Sequence, residues 1–198
     1  FADCWVSFLN DPNEVFAATF KYLGLDINQQ NLDDLKLAEA HLAKVRPHIR
    51  YFDNDRNIAD LANGDTCLAM SWNGNVALAA SQAHAAGKPY SVTYQIPREG
   101  TLLWFDAVVI PKDAPHPEAA LALLDHLSTP EVIAGVTNTV YYANAVPAAN
   151  PLVDPAILND PGTYPPASVQ QNLYVKNDNS RVFDRALTRA FSRLKSGT

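Results

Sequence analysis

The chain has 198 residues, 47% of them apolar, enough to bury a substantial core in one domain or two small ones. With 21 acidic against 15 basic residues the net charge is −6, which disfavours a nucleic-acid phosphate backbone as partner and favours small cationic ligands. No run of about 18 apolar residues occurs, so no helix is expected to span a membrane.

The opening run Phe1-Ala2-Asp3-Cys4-Trp5-Val6-Ser7-Phe8-Leu9 reads like the inside of a fold, and the chain is therefore expected to be a fragment. Cys4 and Cys67 lack the CxxC spacing of a zinc or redox site. They would form one disulfide in an exported protein and remain buried thiols in a cytosolic one. Asp11-Pro12-Asn13-Glu14 begins a helix that Gly24 stops, with Asp11 as N-cap and Pro12 at the first position. Glu14 is then either a capping-box acid favoured by the positive helix end or a functional carboxylate. A second helix is predicted from Asn31 to Val45, ended by Pro47.

Ile49–Phe52 reads as a strand, and Asp53-Asn54-Asp55 caps a helix over 58–62 that Gly64 terminates. The pattern repeats: a strand over 66–71 runs into Trp72-Asn73-Gly74-Asn75 and a helix that stops at Gly87. Open α/β sheets bind ligands beyond the carboxyl ends of their strands, and Asn54, Trp72 and Asn75 stand there. A ring packed over a sheet edge is the alternative for Trp72.

A strand over 91–97 leads to Glu99-Gly100 and the stretch Gly100–Pro111, in which Val108, Val109 and Ile110 read as a buried strand near whose start Asp106 lies beside the Trp104 ring. A buried carboxylate requires a positive partner, and aromatic faces attract the same charge, so the stretch outlines a cation site. A strand-end cap or an internal ion pair is the alternative. Helices are predicted from Ala114 to His126 and from Thr129 to Thr137. An aromatic, irregular run over 140–147 and proline-punctuated turns follow, and a scaffold helix from Arg181 to Leu194 ends the chain.

Set beside each other, these pieces resemble the periplasmic polyamine (putrescine/spermidine)-binding proteins of bacterial ABC transporters. The resemblance rests on Val6-Ser7-Phe8-Leu9, Asp11-Pro12-Asn13-Glu14-Val15-Phe16, Arg46-Pro47, Ile49-Arg50-Tyr51-Phe52, Asp60–Asp65, Trp72 with Gly74, Ile96-Pro97 with Glu99-Gly100, Trp104-Phe105-Asp106, Tyr142-Ala143-Asn144-Ala145 and Tyr164-Pro165-Pro166. It implies an α/β, two-lobed periplasmic solute-binding fold of the type II, Venus-flytrap kind, here a C-terminal fragment. Residues 1–97 are then most of the second lobe, 98–144 a returning part of the first, and 145–198 a helical region bracing both. It also implies a periplasmic receptor that closes on a linear polyamine and delivers it to ABC permease subunits, with the missing N-terminal portion supplying the rest of the pocket, no cofactor or metal, no enzymatic activity, and a Cys4–Cys67 disulfide.

Carried over by position, the resemblance puts ligand contacts at Glu14, Asn54, Trp72, Asn75, Trp104, Asp106 and Tyr142. Glu14 and Asp106 would supply charge, Trp72, Trp104 and Tyr142 flat walls for the methylene chain, and Asn54 a hydrogen bond where the family usually has Ser. Asn75 stands where the family typically has an Asp paired with the acid at Asp106, so one site charge is gone. Two other function classes are a polyamine-sensing receptor without transport and a hydrolase using Glu14 and Asp106 as its carboxylate pair.

Overall fold

Three short strands, β1 (Val6–Phe8), β2 (Ile49–Phe52) and β3 (Leu68–Ala69), centre the computed structural model, which describes residues 4–197. They pair in parallel with β1 in the middle, in the order β2-β1-β3. Parallel strands need crossover connections, and α1 (Pro12–Tyr22) with α2 (Leu32–Val45) links β1 to β2, while α3 (Arg56–Asn63) links β2 to β3. The helix α4 (Asn73–Ala85) follows β3. Because β2 and β3 lie on opposite sides of β1, the chain reverses its winding there, and the carboxyl ends of the strands open a crevice at that point.

The helix termini follow their local sequence. Asp11 accepts from the N–H groups of Asn13 and Glu14, and Asn31 accepts from Asp33 N–H. Gly64 ends α3 at φ 83°, a conformation that only glycine adopts without strain. At the start of α3 the cap is Asp53, whose carboxylate accepts from Asp55 and Arg56 N–H.

Two compact units divide the chain: Phe1–Trp104 with Ala167–Thr198, and Phe105–Pro166. In the first unit Phe16 and Phe20 of α1, Leu35 and Leu42 of α2, and Phe183, Leu187 and Phe191 of the last helix (Arg181–Ser196) form the main core, against which Phe8, Phe52 and Met70 pack. A smaller cluster of Leu61, Ala62, Val76 and Ala79 receives Ala69, so neighbouring residues of the β3 stretch face different cores. The scaffold role expected of the last helix holds. Arg193 pairs with Glu39 through two hydrogen bonds of 2.6 and 2.8 Å, and Arg46 donates to the carbonyls of Leu194 and Lys195. Cys4 and Cys67 form a disulfide, with Cα atoms 5.6 Å apart, at the amino ends of β1 and β3.

The second unit contains α5 (Pro117–Leu127), α6 (Pro130–Val140) and α7 (Pro155–Leu158), with Ala134, Ala149, Val153 and Ile157 as its core. Both predicted helices form, each with proline in its first turn, but the first starts at Pro117, after Pro115 and His116, and not at Ala114. No single helix among the described residues is long and apolar enough to cross a membrane.

The expected strands differ where they lack partners. The predicted buried strand over 108–110 is absent: Val108 and Val109 are 67% and 76% exposed, and Asp106 is exposed beside them. A buried strand needs neighbours for its N–H and C=O groups, and among the described residues the pairing in this stretch stops at the Leu102–Tyr174 bridge. Residues 91–96 also form no ladder, yet they alternate between exposed and half-buried, and Val92 and Tyr94 pack on the smaller cluster.

Candidate binding site

Glu14 sits in the first turn of α1, just beyond β1. Its N–H is used by the Asp11 cap, but its carboxylate turns away from the helix end and accepts from the Trp72 indole Nε1–H at 3.3 Å. Trp72 is the residue before α4, beyond β3, so this bond crosses the switch between β1 and β3. Burial pushes the Glu14 carboxyl above its usual range; the indole N–H opposes that rise, and the charge of Asp11 adds to it. The same carboxylate reaches two phenols electrostatically. Tyr94 and Tyr174 are both pushed up, first by burial and in part by the charge of Glu14.

Trp72 meets Trp104 edge to face, with ring centroids 6.3 Å apart and planes at 70°. Trp104 is 41% exposed. Its position follows from a short pairing in which Leu103 N–H donates to the carbonyl of Tyr174 and Tyr174 N–H donates to that of Thr101.

Asn54 joins the loops. Its side-chain oxygen accepts from Asn10 N–H at 2.8 Å, and its main-chain carbonyl accepts from Asn75 Nδ2 at 3.1 Å and Asn57 Nδ2 at 3.3 Å. Ser71 Oγ in turn donates to Asn57 Oδ1 at 3.2 Å. The segments following the three strands are thereby linked in a closed circuit. Asn10 joins the first to the second, Asn75 and the Ser71–Asn57 pair join the second to the third, and Trp72 returns to Glu14 on the first.

The first unit therefore brings together Glu14, Asn54, Trp72, Asn75 and Trp104. Asp106 and Tyr142 belong to the second unit, where Asp106 is exposed and Tyr142 is half-buried just after α6. Tyr141, the residue between, adopts φ 63°, a conformation uncommon outside glycine that turns the chain out of the helix. Sequence reasoning did not single out Asn10, Asn57, Ser71, Tyr94 or Tyr174. Of these only Asn57 carries a local signal, an amide on a short helix directly after a strand's end.

A desolvated carboxylate beside indole rings is built to attract an ammonium group, since the carboxylate supplies charge and the rings tolerate a cation over their faces. Among the described residues no group of three or more His, Cys, Asp or Glu side chains is placed to hold a metal ion.

Residues 3–165 match the family described as bacterial extracellular solute-binding protein. The putrescine-binding periplasmic protein SpuD of Pseudomonas aeruginosa is 43% identical over 194 residues, covering 98% of this chain and 53% of that protein. The putrescine-binding periplasmic protein PotF of Escherichia coli is 43% identical over 195 residues, with the same two coverages. Among solved structures, a putative spermidine/putrescine ABC transporter protein from Listeria monocytogenes superposes with a TM-score of 0.83 at 25% identity, over 96% of this chain and 57% of that one. The chain thus spans about half the length of the curated relatives it matches. These relatives are solute-binding proteins, and the hydrolase alternative built on Glu14 and Asp106 finds no support among them. On this match the chain belongs to the bacterial extracellular solute-binding proteins.

Proposed function

We propose that the receptor carrying this chain binds a linear polyamine, putrescine or spermidine, in the periplasm and hands it to the permease subunits of an ABC transporter. One observation carries the reading: Glu14 is desolvated and held by the Trp72 indole, whose ring meets that of Trp104. An ammonium placed there gains a charge-assisted hydrogen bond, while a methylene chain gains apolar walls from the two indoles. The names of the 43% identical relatives support the same ligand class.

In this reading Asn54 and Asn75 supply polar contacts, and Asp106 and Tyr142 are further ligand residues. The rest of the pocket comes from the part of the receptor that this chain does not span. The lobe assignment, 1–97, 98–144 and 145–198, belongs to the same proposal.

The test is a calorimetric titration of the full-length receptor with putrescine, spermidine and a neutral amino acid, tryptophan emission being followed in parallel. Saturable binding of an amine with a change in emission is expected, and the ligand is recovered unchanged. Binding of the amino acid as tightly as the amines, or of no amine at all, overturns the reading.

A further inference from the structure

Asn57 is 1% exposed, in the first turn of α3, and its carboxamide is spent on the loops on either side of it. Its Nδ2 lies 3.3 Å from the Asn54 carbonyl and 3.5 Å from that of Asp53, and its Oδ1 accepts from Ser71 Oγ. A buried amide is costly unless its donors and its acceptor are matched. Here both ends are matched by groups that belong to the segments carrying Asn54 and Trp72.

We propose that Asn57 is a positioning residue of the binding site: from inside the fold it clamps the segment after β2 to the segment after β3 and so sets where Asn54, Asn75 and Trp72 stand. This rests on the polyamine reading only for the ligand used to test it. The geometry makes the link specific. Ser71 immediately precedes Trp72, so a bond from Ser71 to Asn57 fixes the backbone from which the indole projects toward Glu14. Asn75 Nδ2 shares the Asn54 carbonyl with Asn57, so the two amides anchor the same point of the segment after β2. A half-site held in its bound shape before the ligand arrives avoids the ordering cost of binding, which is how a residue out of the ligand's reach raises affinity. The circuit also explains a polar side chain on a helix that otherwise packs Leu61 and Ala62 into the smaller core.

The experiment uses the full-length receptor with Asn57→Ala, Ser71→Ala, both together, and Ser71→Thr, which keeps the hydroxyl. Three quantities are read: Kd for putrescine, melting temperature, and the indole N–H resonance of Trp72 in the unliganded protein, assigned with Trp72→Phe. Each alanine variant is expected to weaken putrescine about tenfold and to move the Trp72 resonance. The double variant should be no weaker than Asn57→Ala, and Ser71→Thr should bind as the parent does. An unmoved resonance with Kd within twofold of the parent in Ser71→Ala overturns the proposal, as do losses that add in the double variant or a lowered melting temperature with unchanged Kd. If Asn57→Ala does not fold, Ser71→Ala and Ser71→Thr decide. If the parent binds no amine, the polyamine reading fails, and the Trp72 resonance alone still decides the positioning role.

Discussion

Trp72 donates its indole N–H to the carboxylate of Glu14 across 58 positions of sequence, and that bond links the carboxyl ends of β1 and β3 at the candidate site. The opposite ends of the same two strands are closed by the Cys4–Cys67 disulfide. One link is covalent and remote from the proposed ligand residues; the other is a single hydrogen bond made by two of them.

The disulfide should therefore matter for stability and not for recognition. Opening a loop of sequence separation 63 costs about 4 kcal/mol on the chain-entropy model. Thermal melting of reduced and oxidised receptor should differ accordingly, while titration of the folded reduced protein should give nearly the same putrescine affinity. Equal melting temperatures contradict this.

Burial raises the Glu14 carboxyl, and the sign of the consequence is fixed by that direction. Its contribution to folding is fully present below the unfolded-state value and is lost as pH rises through the raised folded-state value. A bound ammonium favours the ionised form, so polyamine affinity should increase with pH through that window, with a proton released on binding. Calorimetry in buffers of different ionisation enthalpy measures the proton. Glu14→Gln should abolish both the release and the acid-side loss of affinity.

At Asn75 the amide donates to the Asn54 carbonyl, and Asn75→Asp replaces that donor with a negative acceptor. The unliganded variant should lose about 1 kcal/mol of stability. An added carboxylate should tighten putrescine by roughly 1 to 4 kcal/mol at low salt and make its binding fall more steeply as salt is added. Melting and calorimetry at two ionic strengths test both halves; unchanged stability and affinity would remove Asn75 from the site.

Gly100 has φ 99°, and a Cβ there would lie 1.8 Å from the carbonyl oxygen of Asn172. Gly100→Ala must push residue 172 away and disturb the pairing of Thr101 and Leu103 with Tyr174 that leads into Trp104. A loss of about 2 to 4 kcal/mol is expected by denaturant unfolding, together with altered Trp104 emission.

The local features of this protein were legible in its sequence because they are set by groups a few residues apart. Asp11 with Pro12, Asn31, Pro117, Pro130, Gly64 and Gly87 mark helix ends through caps and φ preferences that act within a turn. The acids and aromatics of the motif were visible for the same reason. What Glu14 does with its carboxylate was not: capping box and site acid need the same residue at the same spacing, and only the approach of Trp72 separates them. Nor could the sequence show that Asn54 is held by Asn10, Asn75 and Asn57, since three chain segments must first be aligned by the sheet. The run from Trp104 to Ile110 has the composition of a buried strand, but composition supplies no lateral hydrogen-bond partner. A strand exists only where another segment offers its N–H and C=O groups, and that is decided by tertiary structure.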